Sequence, residues 1–117
     1  MNSNYKGMRA GFATVTTLFF MWGFITVSVD PLIAALKDQK PDVREQAAFA
    51  LGQLRDARAV EALVIALKDA NPDVREQTAF ALGQIRDARA IDGLTAALKD
   101  ANASVRQQAA FALGQIR

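Results

Sequence analysis

Three sets of side chains recur in this sequence at positions where chemistry is conceivable. Arg44, Arg75 and Arg106 stand 31 residues apart. Carboxylates flank the first two, as Asp42 with Glu45 and Asp73 with Glu76. Phe49, Phe80 and Phe111 repeat at the same interval, edged by Gln46, Gln77, Gln53, Gln84 and Gln115. A guanidinium matches a phosphate or carboxylate in two-pronged geometry. Two carboxylates can divide acid and base work when their environments differ. Exposed aromatic rings among polar neighbours suit partner binding.

Composition narrows these options. The 117 residues include no His and no Cys, and Ser occurs only at 3, 28 and 104. Thiol nucleophiles, the usual zinc sites and a Ser-His-Asp triad are thereby excluded. The carboxylate pairs recur identically, whereas a catalytic pair needs two different surroundings. They read as a solvated face, and the arginines as partners of the loop residues Asp38, Asp69 and Asp100. No catalytic residue, metal ligand or cofactor is assigned, and the chain is expected not to be an enzyme. The net charge of +2 comes from Lys6 and Arg9 alone, since residues 30–117 hold 12 basic and 12 acidic side chains. Such interspersed signs make no phosphate-binding stripe, so no nucleic-acid partner is expected.

The elements that position these residues follow from the repeat. Residues 42–72 and 73–103 match at 23 of 31 positions without a gap, and residues 104–117 open a third copy. Each unit holds two helical patterns. Val60, Leu63, Val64 and Leu67 recur at helical spacing after Asp56, an N-cap candidate like Asp87. Asn71 and Pro72 then announce a second helix, with proline where its missing N–H costs nothing. Val74, Ala81, Leu82 and Ile85 form that helix's apolar stripe, and Gly83 among alanines permits close approach. Residues 42, 45, 46, 49 and 53 fall on one face, opposite Val43, Ala47, Ala50, Leu51 and Leu54. A hairpin of this kind cannot bury its stripe alone and must stack on its neighbour. The spacing predicts hairpins of 30–38 with 42–55, 57–69 with 73–86, and 88–100 with 104–117. The array divides at 30–55, 56–86 and 87–117.

The motif VR-x-x-A-A-x-A-L-G-x-I/L, followed by RD-x-R-A-V/I-x-x-L-x-x-A-L-K-D, resembles short HEAT-like repeats. These are the type seen in phycobilin lyases, bacterial scaffolds and the designed α-helicoidal proteins derived from them. The resemblance covers residues 30–117. It implies an all-α solenoid of three hairpins whose second helices line a concave, protein- or peptide-binding face. Phe49, Phe80, Phe111, Glu45, Glu76, Gln46, Gln77, Gln53, Gln84 and Gln115 fall on that face. Whether the rings form a surface ladder or tuck between hairpins stays open at this level. A lyase-like activity has no Cys to hold a bilin. The third hairpin's open apolar side favours further repeats or end-to-end self-association.

Residues 10–29 carry no charge, and 20 helical residues span about 30 Å, the thickness of a bilayer's hydrocarbon. No polar face shows on a helical wheel. The segment reads as a single-pass membrane anchor, with a capping helix or a cleaved signal as alternatives. Leu18-Phe19-Phe20-Met21-Trp22-Gly23-Phe24-Ile25-Thr26, with Asp30 beyond, resembles the first transmembrane helix of fucose and glucose/galactose proton symporters. One helix cannot support alternating access, so transport is not carried over. The expected protein is a non-catalytic, membrane-tethered binding scaffold comprising domains 1–29 and 30–117. The alternatives are a fragment or engineered chimera, or a self-stacking assembly.

Overall fold

The computed structural model describes residues 29–116. They form six α-helices: α1 (Val29–Ala35), α2 (Pro41–Leu54), α3 (Val60–Ala66), α4 (Pro72–Ile85), α5 (Ile91–Ala97) and α6 (Ala103–Gln115). No strand occurs among the described residues. The helices pair as α1 with α2, α3 with α4 and α5 with α6. The all-α hairpin array expected from the repeat is therefore present. Apart from Val29, which opens α1 and is buried, the apolar segment 10–29 lies outside the described residues. So does the stretch that resembles a symporter helix, save for Val29 and Asp30. Among the described residues no helix is long and apolar enough to cross a membrane.

Local chemistry sets each boundary. Asn71 Oδ1 accepts from the Asp73 N–H at 2.8 Å, and Asn102 Oδ1 accepts from those of Ser104 and Val105. These bonds satisfy first-turn donors that have no partner within the helix. Lys40 holds the same position before α2 without a side-chain cap, and Pro41 supplies the helical φ instead. Asp56 and Asp87 cap short 3₁₀ turns, residues 57–59 and 88–90, which lead directly into α3 and α5. α2 and α4 end at Arg55 and Arg86, both left-handed, with φ of 52° and 59°. Glycine would be the easier residue at that position.

Glycine is placed instead where helices touch. A Cβ on Gly52 would stand 2.7 Å from the Ala81 Cα, and one on Gly83 would stand 2.9 Å from the Ala112 Cα. Both distances are shorter than any side chain tolerates, so glycine lets α2, α4 and α6 stack backbone to backbone. These three helices form a continuous inner layer, while α1, α3 and α5 scarcely touch one another. A layer packed more closely than its partner bends the array around itself. Between the layers lie Leu51, Leu63, Leu82 and Leu94, all fully buried. Each such side chain contributes about 1.5–3 kcal/mol.

The first hairpin departs from the expected inward stripe. Val43 and Leu54 are each 36% exposed, whereas Val74 and Val105 are fully buried. Val105 needs no following hairpin for its burial, so each such valine is covered from the preceding side. Among the described residues no hairpin stands before α2, and Val43 is open for that reason.

Two glycines with opposite surroundings test this packing. Gly83→Ala overpacks the α4–α6 contact and is expected to cost about 1–3 kcal/mol. Gly114 has nothing within 4 Å of its Cβ position. Gly114→Ala should therefore stay within about 1 kcal/mol of the parent, in the direction set by helix propensity. Thermal denaturation followed by circular dichroism would compare the two; equal loss would refute the packing account.

Candidate protein-binding face

The side of α2, α4 and α6 turned away from the outer helices carries the recurring aromatic rings. Phe49 is 42% exposed, Phe111 is 53% exposed, and Phe80 between them is half-buried. No ring is sealed in the core. Gln46 and Gln53 are exposed, and Glu45, Glu76, Gln77, Gln84 and Gln115 are half-buried. The carboxylates lie towards the start of each helix, and the third repeat replaces them with Ser104 and Gln107. The acidic edge therefore fades along the array.

The opposite edge is basic, a feature that motif reading passed over. Arg55 and Arg86 sit exposed at the left-handed helix ends. Arg86 Nη2 donates to Gln115 Oε1 at 3.0 Å, across one repeat. The available signal was the 31-residue interval itself, which brings both arginines to the same end of their helices. Between the edges runs a shallow groove lined by Phe80, Phe111, Gly83, Gln84 and the two arginines, with a volume of about 190 Å³. That is less than a drug-sized ligand needs, so the groove suits a side chain rather than a whole small molecule. Gln84 Oε1 is buried without a hydrogen-bond partner and lies 2.7 Å from the Cβ position of Gly52. A larger cavity of about 650 Å³ lies between α3 and α5. Its Asp69, Asp100 and Arg75 are occupied in ion pairs, which leaves it little free polar chemistry.

Those ion pairs settle the role of the arginines in the VR motif. Arg44 Nε and Nη2 grip both oxygens of Asp69 at 2.7 and 3.1 Å. Its Nη1 donates to the Asp38 carbonyl oxygen at 2.7 Å. Arg75 repeats the arrangement with Asp100 and with the Asp69 carbonyl. Each arginine thus fastens its own loop through the backbone and the next loop through the carboxylate. The partner set expected from the sequence is corrected in one respect. Asp38 gives these arginines only its carbonyl, and its carboxylate accepts from the Lys40 N–H. The inter-hairpin reach of 25 residues places each carboxylate partner one repeat ahead.

The charges respond to these contacts. Burial pushes the Asp100 carboxyl up, but the Arg75 side chain, the Asn102 N–H and the Arg75 and Arg106 charges together hold it below its ordinary value. Asp56 and Asp87 are held low chiefly by side-chain hydrogen bonds from Arg58 and Arg89. Among the described residues no group of three or more Asp, Glu, His or Cys could hold a metal ion.

A solenoid of helical hairpins, joined through a glycine–alanine seam and bidentate arginines, defines a class of repeat protein. The chain belongs to the HEAT repeat family, whose model matches residues 29–116. No curated protein matches it. Among solved structures it is similar to human deoxyhypusine hydroxylase in complex with glycerol, at 31% identity and a TM-score of 0.72. The alignment covers 75% of this chain and 31% of that one, so the chain spans about a third of the hydroxylase's length. This overturns the expectation that the chain is not an enzyme. An enzyme carries this fold at this identity, and the likeness points to enzymatic relatives. Scarcity of nucleophiles in one chain did not reveal which proteins share its architecture.

The ion pairs have a testable pH signature. A carboxyl held low in the folded state stabilises it fully above the unfolded pKa of about 4, and loses that effect as pH falls through the folded value. Asp100→Asn should therefore destabilise the array at pH 7 by about 1–3 kcal/mol. The gap to the parent should close as pH drops below about 4. Urea titrations at several pH values would show it, and a gap independent of pH would refute the assignment.

Proposed function

We propose that the array binds protein or peptide segments along the inner face of α2, α4 and α6. The observation that carries this reading is the row of Phe49, Phe80 and Phe111, one per repeat and none sealed in the core. Aromatic rings supply most of the energy of many interfaces. Here they alternate with Gln and Glu side chains that offer hydrogen bonds to an extended backbone. Arg55 and Arg86 add positive charge along one edge, which favours acidic residues in the bound segment.

Peptides selected from a display library against the parent chain provide the test. The triple variant Phe49→Ala, Phe80→Ala, Phe111→Ala should bind them at least about tenfold more weakly in fluorescence anisotropy, as expected when interface anchors are lost. Unchanged affinity, with the helical spectrum intact, would overturn the reading.

A second reading rests on the likeness to the hydroxylase. It makes this array part of an enzyme, with the inner face holding the substrate protein. Hydroxylation of a deoxyhypusine-bearing protein by a chain containing this array would support it, and inactivity of that chain would count against it. The uncharged segment 10–29 supports a membrane tether on length alone. Recovery of the full chain in the supernatant after detergent-free fractionation would remove that element of the proposal.

A further inference from the structure

The two ends of the array complement each other. At one end, Arg106 Nη1 donates to the Asp100 carbonyl oxygen, as Arg44 and Arg75 do in their own repeats. Unlike them, Arg106 has no carboxylate partner. At the other end, Asp38 carries the carboxylate that its counterparts Asp69 and Asp100 present to an arginine, yet no arginine meets it. The backbone seam shows the same pairing. Gly52 receives Ala81 and Gly83 receives Ala112, while nothing stands within 4 Å of the Gly114 Cβ position. Ala50, the first alanine of the series, is half-buried where Ala81 and Ala112 are fully buried. Val43 is likewise open where Val74 and Val105 are covered.

We propose that the chain stacks head to tail with a second copy, the α6 end of one receiving the α1–α2 end of the next. The 31-residue register continues across the junction. Arg106 then grips Asp38 of the next copy, Gly114 receives its Ala50, and its Val43 is covered. This inference rests on the ends of the array and is independent of what the inner face binds. The charges at the junction are opposite, and apolar surface lies beside them: Leu32, Ala35, Val43 and Ala47 line an open groove at the α1–α2 end. The contact joins two different faces, so it propagates into a filament or closes into a ring.

Sedimentation velocity of the full chain over a range of concentrations tests this. The parent should associate as concentration rises. Arg106→Asp and Asp38→Arg each place like charges at the junction and should weaken association about tenfold or more. Mixed together, the two variants should form a one-to-one dimer, because one complementary junction is restored and the other stays blocked. Gly114→Leu should also abolish stacking while leaving helicity intact, since no intrachain neighbour approaches that glycine. A parent that stays monomeric throughout overturns the proposal; that is the outcome expected if residues 10–28 cover the α1–α2 end. Association that none of the three variants changes overturns it equally.

Discussion

The close approach of α2, α4 and α6 is the constraint on which the rest depends. At Gly52 and Gly83 the distance to the next helix leaves no room for a Cβ. That separation brings Arg44 and Arg75 within reach of the following loop's carboxylate. It also keeps the inner layer tight while the outer helices stand apart. Widen the seam by one methyl group and the bidentate contacts lengthen, the inner leucines lose neighbours, and the spacing of the aromatic row changes. Packing and electrostatics are thus coupled through two residues that have no side chain.

The arginines divide by their place in the hairpin. Those at the start of the inner helices are consumed by the fold, each held by a carbonyl and, where a next loop is present, by a carboxylate. Those at the end, Arg55 and Arg86, are free of anions. The difference arises from backbone position. A guanidinium one turn into the helix points back towards the loop, whereas one at a left-handed helix end points along the exposed rim. The same residue type therefore builds the array at one edge and charges its surface at the other.

Much of the fold was legible in the sequence, because the repeat compares the chain with itself. Asn71 and Pro72 announced α4, and Gly83 among alanines announced the seam. Other features were not legible. The 3₁₀ turns after Asp56 and Asp87 differ from α-helix in hydrogen-bond reach, which residue spacing at this length does not distinguish. The exposure of Val43 follows from what precedes α2 in space, and local pattern carries no such information. Identical motifs give Arg44 two candidate aspartates, and only the stacking distance selects Asp69. The candidate face was located by helical spacing, but its basic edge escaped because a helix-terminal arginine has no distinctive pattern. The expectation of a non-enzyme failed for another reason: chemistry can reside outside the repeats that carry it.

The strict interval of the seam has an evolutionary consequence. Gly52 meets Ala81 and Gly83 meets Ala112, each 29 residues ahead, while Arg44 and Arg75 each reach 25 ahead. Both reaches are the same at every junction, and every unit has the same length. Removal of one unit would bring Gly52 to Ala112 and Arg44 to Asp100 with every contact type preserved. Gain or loss of whole units by unequal recombination then alters the length of the binding face without disturbing its packing, so array length can drift while the junction stays under selection.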